Sequence, residues 1–422
     1  MAGRQVIYDD AGAASTIAAF LKEDYVVNEI RNLVNTSTEL LSRIKTKPTD
    51  VGLNWVEPLK TATAQGHGAR AENGALPNPG FGRYDRITGY VKSLYGSFYI
   101  TGQSIAATKG SRATFKAALS QALDDTKEGY RLSKQRQSWG DGNAILATVD
   151  GAVTASTTVP VSDPYGLTYV QADLEGWEKV MCLKENMEVW FATAAVSRTI
   201  TAVDESAGTI TVNTAVTLTD GEEIQLGSSS TNRNDGNELT GVSGFVTDTG
   251  NYFNLSRTGR AVLQSTVVDY TAAPYNSDPI LLERAMRATN SALFRKATDQ
   301  SGLVAFSNTN VHDTHVNNLV SERRQVNPME LKSGQDAIEY GGKPLVKDKD
   351  CPPQRMYWLR MDDVFFRQMG TSGWIDDDGN ILHRVTTGEG RVHAFTADWC
   401  EHVEMVTRAP ANHAVIEGIT RT

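Results

Sequence analysis

Few residues in this sequence have the types and spacing that chemistry requires. Ser42-Arg43-Ile44-Lys45 has the Ser-x-x-Lys spacing of an acyl-transfer nucleophile and its base, but the partner motifs that complete such a site are absent. His312 and His315 stand three apart in NVHDTHVNN with Asp313 between them. Imidazoles at that spacing can share a helix face as metal ligands, yet no further ligand stands nearby, and the expectation is a solvated loop. Asp376, Asp378 and Asn380 match the opening of a calcium loop, but the sixth position is Ile381 where glycine is needed, and the twelfth is Thr387 where glutamate is needed. That stretch is expected to be a turn between strands. There is no Gly-x-Ser-x-Gly elbow, His-Glu-x-x-His pair, phosphate loop or Gly-x-Gly-x-x-Gly fingerprint. The expectation is a protein with no catalytic residues, no metal and no cofactor, and not an enzyme.

Two sets of residues suit contact better than catalysis. One is Arg112, Lys116, Lys127, Arg131, Lys134 and Arg136, which outnumber the acids Asp124, Asp125 and Glu128 of the same stretch by three. Its main reading is a solvated face, and its functional reading is weak, non-specific attraction to nucleic acid. The other is His67, Arg70, Glu72, Arg83, Asp85 and Arg86, in and beside a stretch dense in glycine and proline, GHGARAENGALPNPGFGRYDR.

The elements that must hold these sets follow from periodicity. The first set lies on Ser111–Trp139, a proline-free run in which Phe115, Leu119, Ala122, Thr126, Tyr130 and Ser133 recur near a 3.6 period. Ser111 suits the N-cap and Gly140 a left-handed C′ position. Such a helix would be roughly 40 Å long at about 1.5 Å per residue, far beyond the usual three turns. The second set lies between two stretches that read as extended, Trp55–Gln65 and Gly89–Thr101. Together they predict a two-stranded arm with an irregular tip. A lone two-stranded ribbon is marginal in water and needs a surface to lie on, such as another subunit.

Elsewhere, residues 14–46 predict a helix, continuous or broken, ended by Pro48. Asn143–Val149 reads as a short strand and Gly151–Tyr169 as loop. VSRTITAV and TITVNTAV around DESAG predict a hairpin over 196–216, followed by a strand in DGEEIQLG, so that 175–227 reads as a small barrel or sandwich. Asp278-Pro279 opens a helix to about Ala297. SGLVAFSN predicts a buried strand, Val316–Arg324 a short helix, MYWLRM a core strand, and RVHAFTADWCEHVEMVTRAP a long strand or pair of strands.

Composition sets the bounds. The 422 residues leave room for two or three domains, and the composition is 40% hydrophobic and 22% charged, ordinary values for a globular chain. No apolar run is long enough for a transmembrane helix, and MAGRQVIYDD lacks the pattern of a secretory signal. Cys182, Cys351 and Cys400 lie far apart and read as buried free thiols in a reducing compartment. The net charge of −9 is concentrated: residues 150–230 hold twelve acids and three bases, while the rest holds 38 of each. That acidic segment is not expected to meet phosphates and suits a solvated outer position.

The order of parts is an N-terminal arm, a long glycine-tipped hairpin, one very long helix, a mixed β-rich region with an acidic insertion, and a late return of long strands. This order resembles the Hong Kong 97-type major capsid proteins of tailed bacteriophages. LTGVSGFVTDTGNYFNLSRTGRAVLQSTVVDY (239–270), IEYGGKPLVKDKDCPPQRMYWLRMDD (338–363) and WCEHVEMVTRAPANHAVIEGIT (399–420) resemble recurrent stretches of that family. The resemblance implies an α+β fold with a spine helix, an extended-loop (E-loop) hairpin, axial (A) and peripheral (P) domains, and a small all-β insertion. The implied division is an N-terminal arm over 1–54, the E-loop over 55–101, the P-domain over 102–150 with its spine helix at 111–139, the insertion over 151–230, mainly A-domain over 231–366, and P-domain strands with a C-terminal tail over 367–422.

The implied function is a major capsid protein. Its copies would assemble as pentamers and hexamers into an icosahedral shell around double-stranded DNA, in a virion put together in the bacterial host cytoplasm. The implied partners are the chain itself, a portal, a separate scaffolding protein if any, packaged DNA by non-specific contact and a decoration protein, with no membrane. The E-loop begins near residue 55, so no scaffolding segment of the kind many members carry is expected ahead of the arm, and no covalent cross-link is expected. An encapsulin-like nanocompartment shell is the alternative within the fold. A hydrolase with an unrecognised site is the alternative of another class.

Overall fold

The computed structural model describes residues 37–48, 54–102, 112–296, 301–321, 328–330, 336–376, 379–387 and 390–421. Most of the expected N-terminal helix, Ser111 and Asp378 lie outside these residues. The described chain forms two compact units. One comprises Ser93–Lys134 and Met369–His402 with Ser37 and Thr38; the other comprises Glu39–Lys92, Gln135–Gln368 and Val403–Thr422.

The first unit is a sheet with a helix laid across it. The long helix runs Arg112–Trp139, and its residues to Lys134 belong here. The strand Gly390–Thr407 is the spine of the sheet and pairs with Lys92–Thr101, Val364–Trp374 and His383–Thr387. The helix meets the sheet through aromatic rings. Phe98 packs edge-on against Trp374 at 5.7 Å, Trp374 against Trp399 at 5.5 Å, and Trp399 meets Tyr130 at 6.4 Å. Lys127, Tyr130 and Lys134 fall on one helix face by their spacing. That face also carries an ion pair, Lys134 Nζ to Glu401 at 2.8 Å, and Tyr130 donates its hydroxyl to the same carboxylate. Gly140 does not adopt the expected left-handed conformation. The positive φ falls at Gly142, at 97°, and Gly140 N closes the last turn by donating to Gln137 O.

The second unit holds a seven-stranded sheet, a barrel and a ribbon. The sheet runs Thr266–Asp269, Ala414–Glu417, Arg355–Arg360, Leu303–Ser307, Lys343–Lys347, Asp336–Tyr340 and Pro328–Glu330. Its central strands are buried, as MYWLRM and SGLVAFSN predicted. The helix Leu282–Lys296 lays Leu282, Ala285, Met286 and Leu293 on Met356, Trp358, Ala414 and Ile416. It starts later than Asp278-Pro279 suggests, because Pro279–Leu281 winds as a 3₁₀ turn, with Ile280 N donating to Asp278 Oδ1. The Gly341-Gly342 pair supplies the positive φ of 57° and 78° that a two-residue hairpin turn needs between Asp336–Tyr340 and Lys343–Lys347.

The β-rich stretch closes into a six-stranded barrel in the order Glu223–Leu226, Ile145–Val149, Val153–Ser162, Thr209–Leu218, Val196–Asp204 and Glu188–Phe191, back to the first. Val159, Val161, Ile200, Ile210, Val212 and Ile224 are among its buried residues. Two expectations are corrected here. Gly151–Tyr169 is not loop, since Val153–Ser162 is a ten-residue barrel strand. Nor is Ile145–Val149 separate from the β-rich region, since it pairs with strands on both sides of the closure. The reason is that Thr and Ser fill outward barrel positions as readily as they fill loops, so composition alone could not separate the two.

The ribbon pairs Asn54–Ala62 with Arg83–Tyr90, from Asn54 opposite Tyr90 to Ala62 opposite Arg83. The return strand is therefore not Gly89–Thr101. The chain breaks at buried Val91, and Lys92–Thr101 joins the sheet of the first unit. The histidine segment is also corrected: NVHDTHVNN lies on the helix Thr309–Ser321, and His312 and His315 are both buried. Cys182 and Cys351 are buried thiols as expected, whereas Cys400 is part-exposed.

Candidate assembly surface

The ribbon is fixed at its base and bare at its tip. Trp55 and Glu57 face inward from the first strand while Val56 faces solvent, the alternation a half-buried strand requires. Trp55 packs edge-on against Phe253 at 4.8 Å. Gly89 lies over the Trp55 indole so closely that a Cβ there would stand 2.5 Å from the ring, so the second strand needs glycine at that point. Thr88 N donates to Asn254 Oδ1 at 2.9 Å, Asn254 Nδ2 donates to Arg86 O at 3.3 Å, and Arg260 Nε pairs with Asp85 at 3.2 Å. Asp85 also accepts from Thr61 Oγ1 at 2.9 Å. These bonds hold its carboxyl below the usual range.

The loop that grips the ribbon is itself held by one residue. Arg257 is fully buried and donates to the backbone carbonyls of Gly244, Phe245, Thr247 and Leu263, with its guanidinium 5.3 Å from the Tyr252 ring. Burial pulls its pKa down. A planar fork with five donors is the one side chain able to close so many orphan carbonyls.

The tip, residues 63–82, has no regular structure. Leu76 and Phe81 are 86% and 89% exposed, and Tyr84 beside them is 72% exposed. Large apolar side chains held this far into water mark a surface made to be covered. The charges of the tip stand out in the sequence, whereas these apolar residues do not. The available signal was an apolar pair inside GALPNPGFG, a stretch with no helical or strand pattern to require it. Of the six charges first singled out, His67, Arg70 and Glu72 are exposed in the tip, where Arg70 Nε donates to Ala75 O at 2.9 Å. Arg83, Asp85 and Arg86 stand on the return strand, and Asp85 is engaged within the chain.

The basic set of the long helix divides as well. The side chains of Arg112 and Lys116 lie outside the described residues. Lys127 sits 5.6 Å over the Trp399 ring, and Arg131 donates to Thr38 Oγ1. Lys134 is paired with Glu401, and buried Arg136 with buried Glu238. Lys134 and Arg136 thus fasten the fold and are not presented to a polyanion.

Buried titratable groups are structural too. Asp348 accepts from Leu40 N at 3.2 Å and from Gln135 Nε2 at 2.8 Å, and burial lifts its pKa to about 6. His413 is held between Thr407 Oγ1 at 2.7 Å and Arg360 N at 3.2 Å, and burial lowers it to about 3. Burial likewise lowers His312 to about 4. Among the described residues no group of three or more His, Cys, Asp or Glu could hold a metal, and no helix is long and apolar enough to cross a membrane.

No protein-family model matches the sequence, and no curated protein matches it. Solved structures do match it in fold. The capsid asymmetric unit of cyanophage A-1(L) matches with a TM-score of 0.52 at 14% identity, over 94% of this chain and 96% of that one. The capsid of a native GTA particle matches at a TM-score of 0.47 and 11% identity, covering 94% and 95%. The holo-SrpI encapsulin complex from Synechococcus elongatus PCC 7942 matches at 0.48 and 8%, covering 97% and 96%. The chain has the α+β fold of a phage capsid subunit, the Hong Kong 97-type architecture that the order of its parts suggested.

Proposed function

We propose that this chain is the major capsid protein of a tailed phage, a structural subunit without catalytic activity. Its copies form pentamers and hexamers that close an icosahedral shell around double-stranded DNA. The observation that carries this reading is the ribbon: pinned at its base by Arg260, Asn254 and Phe253, and ending in Leu76 and Phe81 more than four-fifths exposed. A fixed arm with a bare apolar end is built to be covered by another copy, and obligate interfaces of this kind bury thousands of Å². The near-neutral body outside the acidic barrel supports loose contact with packaged DNA, and we read the barrel as facing outward. The site of assembly would be the bacterial host cytoplasm and the final location the virion. A portal, a scaffolding protein and a decoration protein are the further partners this function calls for.

The test is expression of the full chain followed by sedimentation and electron microscopy. Closed shells are the expected product, and Leu76→Ser with Phe81→Ser should leave the subunit folded while lowering shell yield about tenfold or more. A chain that stays monomeric at high concentration would overturn the reading. Shells from infected cells should hold nuclease-protected DNA; a protein cargo in its place would favour a nanocompartment.

A further inference from the structure

We propose that Lys47, Arg367 and Arg408, gathered on the Phe365 ring, form a socket for a carboxylate of a second copy of this chain, and that Glu72 at the ribbon tip supplies it. This rests on the shell reading above. Lys47 Nζ lies 4.0 Å from the Phe365 ring centroid, and the guanidinium carbons of Arg367 and Arg408 each lie 5.1 Å from it. Lys47 and Arg367 are register partners of the parallel pair that joins Lys45–Pro48 to Val364–Trp374, which sets them side by side. One carboxylate, Glu57, pairs with two of the three cations. It accepts from Arg367 Nη2 and pairs with Arg408 Nε at 2.6 Å. Among the described residues no carboxylate reaches Lys47 within ion-pair distance, so the group carries two positive charges in excess.

That excess sits where water screens it poorly. Phe365 is 1% exposed and Glu57 8%, so one side of the cluster is protein. Burial first, and then repulsion from Arg408, pulls the Lys47 ammonium below its usual pKa. Yet Lys47 is only half-buried and the Arg408 side chain is 46% exposed, which leaves the socket open to an incoming anion.

The anion is argued from placement. Glu72 is the sole acid of the tip, residues 63–82. It stands exposed in a tight turn closed by Gly74 N donating to Ala71 O at 2.9 Å, and among the described residues no cation pairs with it. It does not reach the socket of its own chain. Glu57 belongs to the ribbon's first strand, and at about 3.3 Å per residue the run from Glu57 to Ala62 alone carries the tip ~16 Å away. An acid at the end of the arm and a socket at its root make a head-to-tail contact, the kind that closes rings when the rotation between copies allows it.

The experiment is a charge swap in the full chain, read by shell yield with far-UV spectra as the folding control. Glu72→Lys and Lys47→Glu should each lower shell yield about tenfold, and the two together should recover most of it. Single variants at wild-type yield, or a double variant no better than the worse single, would overturn the proposal. Should Lys47→Glu fail to fold, Glu72→Gln and Lys47→Gln replace it: a double no worse than either single supports the contact, and additive losses overturn it. Loss of DNA retention by unassembled Lys47→Glu, with Glu72→Lys assembling normally, would assign the socket to phosphate and overturn it. A wild-type chain that forms no shells would strike the capsid reading itself, so the two failures are distinguishable.

Discussion

Glu404 shows how far a single residue's environment outruns its sequence. The alternation of WCEHVEMVT sets Glu404 on the face opposite Glu401 but does not say which face is buried. In the fold Glu404 is fully buried; Oε1 accepts from Thr240 N at 2.8 Å and Met405 N at 3.0 Å, and Oε2 has no partner among the described residues. Burial lifts its pKa to about 7 from 4.5. The folded chain therefore keeps this proton at a pH where the unfolded chain has lost it. The contribution of Glu404 to stability is full below about pH 4.5 and falls as pH rises toward 7. Glu404→Gln keeps the accepting oxygen and never ionises. Relative to wild type, it should gain stability between pH 5 and pH 8 by on the order of 2 kcal/mol. The depressed His413 pushes the opposite way, but it is common to both proteins and cancels in the difference. Thermal unfolding of the unassembled subunit at the two pH values checks this; an offset independent of pH would show that Glu404 does not titrate in that range. The histidines teach the same lesson. Periodicity could not distinguish a helix carrying buried His312 and His315 from a polar loop, because what buries them is packing against distant strands.

At the scale of elements, the legible parts were those whose signal is local. The long helix, the hairpin around DESAG and the core strand MYWLRM all declare themselves within a dozen residues. The ribbon was half legible. Its glycine-rich tip was plain, but its second strand was placed too late, because YVKSLYGSFYI runs on in extended conformation past the break at Val91 while changing partners. Strand partners are long-range facts that alternation does not encode. The structure also sharpens where the tip can be cut. The chain enters and leaves it at one point: a Cβ on Gly66 would stand 2.5 Å from Gly80 N. Excising Gly66–Gly80 and joining Gln65 to Phe81 should therefore spare Asp85, Arg260 and the base. We expect an unfolding midpoint within a few degrees of wild type and a shell yield at least about tenfold lower. Wild-type shell yield from the excised chain would remove the ribbon from the assembly contact; loss of the fold would show that the tip is needed for more than contact.

At the scale of the whole molecule, the barrel is a detour that begins and ends in one place. Ile145 pairs with Gln225, so the two ends of the barrel segment lie side by side, about 5 Å apart across the ladder. A three-residue Gly-Ser-Gly bridge can replace everything from Ile145 to Leu226. What is lost with it includes the ion pairs of Arg421 with Glu175 and Glu178 and its bond to Asp173 O. Tyr165 Oη donates to Asp350 O at 2.7 Å, Gln354 exchanges two bonds of 2.8 Å with Val170, and Asn308 Nδ2 donates to buried Glu178 at 3.3 Å. At about 1 kcal/mol each, with the exposed partners returned to water, the remaining body should lose on the order of 2–4 kcal/mol and still fold. Cutting only 175–227, the segment that the sequence marked as β-rich, is a different operation. It removes four of six strands and leaves Ile145–Val149 and Val153–Ser162 with open edges that pair with anything extended. The complete excision should therefore yield a monodisperse subunit with a single urea transition, while the partial one aggregates. The complete excision also takes out every charge of the acidic segment and leaves 38 acids against 38 bases, so its solubility should be lowest near neutral pH and recover on either side. Size-exclusion chromatography across pH 5 to 9 separates the two effects. Aggregation that vanishes away from neutrality is a matter of charge, and aggregation at every pH is a matter of exposed edges; a partial excision as well behaved as the complete one would mean that the closed barrel is not one cooperative piece.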